Sequence, residues 1–123
     1  MICLDTNYLI RGVAEDTAEA AELVAWVKAG ETLVTAMPVW FEFLCGPVTD
    51  DQVATARTFL AEIIPFAEDQ AVESARLFNA VQRKRSLRVD AMIAGTAITA
   101  KAGLATKNRD HFKPFVAHGL RLI

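Results

Sequence analysis

The sequence predicts an α/β domain in which a mainly parallel sheet is covered by helices on both faces. Short apolar runs alternate with stretches of helical periodicity, the order expected of strand–helix–strand units. No Asn-Gly or comparable dipeptide joins two of those runs, so a tight antiparallel hairpin has no turn to close it. One late segment, DAMIAGTAITA, is apolar nearly all round and must lie against a sheet and its neighbours.

Taken in order, Met1 to Leu4 is an apolar run that suits a buried parallel strand and ends at Asp5. A helix is expected to begin near Tyr8. From Thr17 to Ala29 the chain is Ala-rich, with Leu23, Val24 and Val27 at helical spacing and Gly30 placed to close the helix. TLVTA, residues 32–36, is rich in β-branched side chains and reads as the next strand. Pro38 suits the first turn of a helix carrying Val39, Trp40, Phe41, Phe43 and Leu44. Asp50 or Asp51 can cap a helix reaching Ile63, with a brief strand from Ile64 to Ala67. A long helix from Asp69 to Arg85 follows, then one from Asp90 to Ala102 that Gly103 ends. Leu104 to Thr106 and Leu120 to Ile123 are the last strand candidates, separated by a polar turn around Asn108 to Pro114.

With 123 residues the chain has the length of one domain, since single cores commonly use about 100–150. The hydrophobic fraction of 53% is enough for a packed core without disulfides or a structural metal. Apolar stretches such as MPVWF and AMIAG break off far short of the roughly 20 residues a bilayer span needs, so no membrane helix is expected. The start, MICLDTN, has no basic stretch and carries an aspartate at its fifth position; no export signal is expected, and a cytoplasmic location is. Cys3 and Cys45 form no CxxC pair and are expected to be reduced, buried thiols. His111 and His118 stand apart from them, which leaves zinc without its usual ligands.

The net charge of −2 hides an asymmetry. Residues 1–82 carry 4 basic and 13 acidic side chains, a balance of −9, while residues 83–123 carry 9 basic and 2 acidic, a balance of +7. Clustered Lys and Arg attract polyanions. The last third therefore points to nucleic acid or an acidic protein partner, against the alternative of a solvated helix face.

Several carboxylates sit where packing does not call for them. Asp5 follows a strand at its carboxyl end, the side of a parallel sheet where sites gather; its structural alternative is to cap the next helix. Glu42 lies within VWFEFL, where it either points to solvent or needs a compensating partner. Asp90 opens an apolar helix, as a cap or as an ionised ligand favoured by the helix terminus. Asn108 and Asp110 follow the strand LAT, in positions where turn residues are also common. Acids from separate segments brought to one end of a sheet repel unless a cation neutralises them. Mg²⁺ or Mn²⁺ prefers such oxygen donors, and either can activate water against a phosphodiester without a catalytic His or Cys.

At these residues the chain resembles the PIN-domain ribonucleases, and within them the VapC-like toxins of bacterial and archaeal toxin–antitoxin operons. The resemblance runs through LDTN, FEFLCG, RVDAMIAGTAI and ATKNRDHF, and so spans residues 1–123 as one PIN domain. It implies a Rossmann-like three-layer sandwich with an acidic pocket for one or two Mg²⁺ or Mn²⁺ ions, acting as an endoribonuclease on RNA. Asp5, Glu42 and Asp90 fall on the family's three acidic positions. Thr6 and Asn7 match the polar pair that supports the first, and Thr106 is assigned the same supporting role. The fourth position, frequently Asp, falls on Asn108 here, with Asp110 two residues later as the other candidate for catalysis and metal. A homodimer and inhibition by a small VapB-like antitoxin are also implied. Arg83, Lys84, Arg85 and Arg88 become the candidates for RNA backbone contacts. Three readings compete with the toxin: a housekeeping RNA-processing nuclease, a non-catalytic scaffold of the same fold, and another Mg²⁺ phosphotransfer enzyme using Asp5 as nucleophile. LDTN has neither the DxD pattern nor the lysine that the last would need.

Overall fold

The computed structural model describes all of residues 1–123. Strands β1 (Ile2–Leu4), β2 (Leu33–Ala36), β3 (Glu62–Ile64) and β4 (Gly103–Ala105) form one sheet in the order β3-β2-β1-β4, parallel throughout. Helices α1 (Thr6–Gly12) and α2 (Ala18–Lys28) follow β1, and α3 (Met37–Cys45) and α4 (Asp50–Phe59) follow β2. Helices α5 (Glu68–Ala80) and α6 (Arg88–Thr99) follow β3, and α7 (Arg109–Val116) follows β4. The α/β expectation therefore holds, with a sheet that is wholly rather than mainly parallel. No helix is long and apolar enough to cross a membrane.

Burial explains why the short strands persist. Every residue of β1, β2 and β4 is buried, so their apolar runs are continuous rather than alternating, as a sheet covered on both faces requires. Helix α6 buries Ala91, Ile93, Ala94, Gly95, Thr96 and Ala97 on several sides at once, which matches its all-round apolar character. Small residues let it come close to α5: a methyl group on Gly95 would collide with Ser74, whose backbone nitrogen would lie at 2.8 Å.

Several boundaries differ from the expectation for local reasons. Thr49, not an aspartate, caps α4: its hydroxyl accepts the Gln52 N–H at 3.1 Å and Gln52 returns the bond to the Thr49 N–H at 3.0 Å. That helix stops at Phe59, and β3 occupies residues 62–64 rather than 64–67, because Pro65 has no N–H for the ladder. Helix α5 ends at Ala80, where Gln82 and Arg83 take left-handed conformations. Helix α6 begins at Arg88, so Asp90 lies inside its first turn instead of capping it. It ends at Thr99, Lys101 makes the left-handed turn, and Gly103 is already in β4. The stretch read as a polar turn, residues 108–114, is largely α7, driven by burial of Phe112 and Phe115. Leu120 to Ile123 adds a single parallel bridge, Leu104 to Leu122, instead of a full strand. Cys3 is buried, and burial pushes its thiol up to about 12, whereas Cys45 is exposed.

The strand order places the site. The chain moves outward from β1 through β2 to β3, then returns to pair β4 with the other side of β1. Leu4 is in register with Ala105, so Asp5 and Thr106 leave the sheet side by side at this switch point, where α/β sheets form their crevices.

Candidate active site

Asp5 is 6% exposed, and each of its oxygens accepts a hydrogen bond. Its Oδ1 accepts the Thr6 N–H at 2.8 Å, which makes it the cap of α1; its Oδ2 accepts the Thr106 hydroxyl at 2.6 Å and the Asn7 amide at 3.5 Å. Capping and site geometry thus coincide in one carboxylate. Thr106 is held in turn by the Asn108 N–H at 3.0 Å, and Asn7 by the Lys107 N–H at 3.1 Å, so the turns after β1 and β4 are laced together.

Glu42 reaches the same place from α3. Its helix packs on Val39, Trp40 and Phe43, leaving Glu42 exposed at the side facing α1, where Oε2 accepts the Thr6 hydroxyl at 2.8 Å. Thr6 therefore connects both acids, through its N–H to Asp5 and its hydroxyl to Glu42. Asp90 comes from the first turn of α6 and does not cap that helix; its Oδ2 lies 3.2 Å from Nδ1 of His111 on α7.

The electrostatics show a pocket short of positive charge. Burial pushes the Asp5 carboxyl above the usual range, the Thr106 and Thr6 hydrogen bonds pull it back, and the charges of Asp90 and Glu42 push it up again. Asp90 is also raised, by burial first; His111 opposes the rise and Glu42 adds to it. Neither Asp5 nor Glu42 has a basic ion-pair partner. The three acids feel one another, and His111 beside Asp90 is the only basic side chain paired with any of them.

The remaining candidates separate. Asn108 touches this cluster through its backbone N–H, not its amide. Asp110 is exposed and lines a different cavity with Arg109, Lys113 and Arg121. The cause is the unforeseen helix: successive residues of α7 point about 100° apart, so His111 turns to Asp90 while Asp110 turns away. His111 is the residue that sequence reasoning passed over; helical phase counted back from Phe112 and Phe115 was the only signal for it. Arg83 is tied to the Asn79 side chain at 2.8 Å and Arg88 lies over the Phe78 ring at 5.8 Å, so these two of the four basic candidates pack along α5. Lys84 and Arg85 are exposed.

A family model described as PIN domain matches residues 2–115. The chain is 31% identical over 122 residues to Ribonuclease VapC19 of Mycobacterium tuberculosis (strain CDC 1551 / Oshkosh), covering 94% of both proteins. Its fold is similar to VapBC2 from Rickettsia felis bound to a promoter DNA fragment, with a TM-score of 0.81 at 20% identity over 100% of this chain and 98% of that one. A toxin–antitoxin complex from Klebsiella pneumoniae aligns with a TM-score of 0.71 at 26% identity, over 91% and 90% of the two chains. DNA-bound VapBC from Salmonella typhimurium aligns with a TM-score of 0.76 at 18% identity, over 99% and 96%.

Proposed function

Because the chain belongs to the PIN-domain family, matched over residues 2–115 and through a ribonuclease 31% identical across 94% of its length, we propose that it is a divalent-metal-dependent endoribonuclease, the toxin of a toxin–antitoxin pair. The observation that carries this reading is the meeting of Asp5, Glu42 and Asp90, from three elements, at the switch point of a parallel sheet, with Thr6 bonded to two of them.

The donor set suits Mg²⁺ or Mn²⁺. It is made of carboxylate oxygens, neither Asp5 nor Glu42 has a basic partner, and its buried member is already fixed in place. No three acidic, His or Cys side chains are grouped closely enough to hold an ion by themselves; Mg²⁺ usually keeps several waters, and these would complete its coordination. Asp5, Glu42 and Asp90 would hold it. When bound, such an ion offsets the crowded negative charge, acidifies water and stabilises charge on the leaving oxygen.

This chain's own residues supply the rest. The Thr106 hydroxyl and the Thr6 N–H fix both oxygens of Asp5, which removes the entropy of orienting it. The Thr6 hydroxyl aims Glu42 at the same spot. His111 holds one oxygen of Asp90, and the other has no hydrogen-bond partner. A non-catalytic scaffold would have no use for three carboxylates held together against their repulsion.

The partner reading leans on the relatives: one similar solved structure is a toxin–antitoxin complex and others are VapBC bound to DNA, and a small antitoxin is proposed here too. Exposed Met37, Phe41 and Val89 lie beside Glu42 around a cavity of about 350 Å³ and give a homodimer or an antitoxin an apolar surface to cover. The protein is proposed to act in the cytoplasm as a single domain.

The test is cleavage of total RNA by purified, antitoxin-free protein with Mg²⁺ or Mn²⁺, with and without EDTA. Activity that EDTA abolishes and Asp5→Asn removes is the expected result; cleavage indifferent to both overturns the mechanism. Growth arrest on expression, relieved by a co-expressed small partner, separates a toxin from a housekeeping nuclease.

A further inference from the structure

Helix α7 touches the acidic site with one side and opens a second site with another. His111 meets Asp90, while Arg109 and Lys113, one turn apart and about 6 Å along the axis, line a surface cavity of about 690 Å³ with Arg121 from the carboxy-terminal segment. Val116 and Leu120 add apolar lining, and Asp110 is the only acid there.

What sets these cations apart is that three of them line one cavity without a carboxylate partner. Elsewhere Arg11 pairs with Glu19, Arg76 with Glu73, and Lys107 with Glu19 and Glu22. The Arg109 side chain donates only to the Ile123 backbone oxygen, and the Lys113 and Arg121 side chains make no hydrogen bond or ion pair, although the chain as a whole is acidic. Like charges gathered in one concave surface repel unless an anion joins them. Arg109 is further restrained by its carbonyl bond, and the Arg121 guanidinium lies against Gly103 of β4, within 3.0 Å of where a side chain there would begin.

We propose that this cavity is a backbone-binding subsite for single-stranded RNA, taking phosphates that flank the bond cut at the acidic site. The proposal rests on the nuclease reading and specifies where the substrate lies. Three separate cations take the phosphates, and Val116 and Leu120 offer an apolar surface for sugar and base faces. The subsite shares α7 with His111, so one helix orients both the reacting and the flanking parts of the strand. It also moves the main RNA contact from the segment 83–88 to Arg109, Lys113 and Arg121.

The experiment measures binding of a fluorescein-labelled 12-nucleotide RNA in EDTA across a salt series, for wild type, the triple variant R109Q/K113Q/R121Q, and R83Q/K84Q/R85Q/R88Q. Each single-strand phosphate contact contributes about 0.7 to the slope of log affinity against log salt. The triple variant is expected to lose at least tenfold in affinity and about 2 in slope, and the quadruple variant less of both. The double variant K113Q/R121Q leaves the Arg109 bond to Ile123 intact and should lose about 1.4 in slope. A melting curve for each establishes that it folds. Triple and double variants that bind with wild-type affinity and slope overturn the proposal. Cleavage of the same RNA by wild type with Mg²⁺ is read separately: metal-dependent cleavage with unchanged binding by the variants sinks the subsite alone, while lost binding without any cleavage sinks the nuclease reading and leaves the subsite.

Discussion

Asp5→Asn separates the charge of the site from its architecture. Asn caps helices about as well as Asp, so the bond from the Thr6 N–H survives and the cap changes by a few tenths of a kcal/mol. The Asn NH2 then stands where Oδ2 accepted the Thr106 hydroxyl, so that bond must reverse, with Thr106 accepting, at a cost of about 1 kcal/mol. Against this stands the cost of holding a buried carboxylate ionised beside Glu42 and Asp90. The Asp5 carboxyl is raised in spite of its hydrogen bonds, so burial and repulsion outweigh them. The sign follows from linkage. A folded pKa above the unfolded one means that the fold holds the proton more tightly, so metal-free stability is highest below the ordinary carboxylate range and falls as pH rises through the folded pKa.

At neutral pH that loss weighs on wild type and is absent in Asp5→Asn. The metal-free variant should therefore melt above wild type, each 1 kcal/mol of difference being roughly 3–6 °C in Tm for a chain of this size. Near pH 3.5 the advantage should vanish or reverse, because wild-type Asp5 is then protonated. Under the proposed metal site, Mg²⁺ at 100 times its Kd should stabilise wild type by about 2.7 kcal/mol, on the order of 10 °C, and should barely move the variant. The assay is a pair of thermal melts at pH 7 and pH 3.5 in EDTA, repeated at pH 7 with Mg²⁺. An Asp5→Asn protein that melts below wild type at pH 7 in EDTA, or that keeps the full Mg²⁺ response, refutes the electrostatic account.

Two further outcomes follow from the same geometry. His111→Ala frees Asp90 and should weaken Mn²⁺ binding, measured by calorimetry, by about 10-fold or more, while His111→Asn, which keeps a donor, should restore most of it; equal affinities in all three proteins would show that the contact positions nothing. Gly95→Ala should cost about 1–3 kcal/mol by forcing α6 off Ser74 of α5, seen as a lower denaturation midpoint with an unchanged slope; a neutral result would mean that the two helices separate without loss.

What could be read in the sequence was what short-range chemistry determines. The runs that became β1, β2 and β4 are almost wholly apolar because both faces of the sheet are covered, and helix α6 betrayed its position by having no polar side. Asp5, Glu42 and Asp90 were conspicuous because each sits beside apolar residues that give a carboxylate no reason to be there. Register, by contrast, is a property of pairs. Strand β3 lies at the sheet edge with Glu62 exposed, so its run carries little burial signal and was placed two residues late. Helix α7 was missed because polar residues and Pro114 read as a turn, while the two phenylalanines that make it a helix act only once a core exists to receive them. The error then passed to the site. In a turn, Asp110 is as good a candidate as any neighbour; on a helix, a step of about 100° sends it to the basic cavity and brings His111 to Asp90, a contact between residues 21 apart in sequence. Side-chain identity therefore located the acids, but backbone conformation decided which neighbours could reach them. That is why the supporting His111 could be assigned only after α7 was in place.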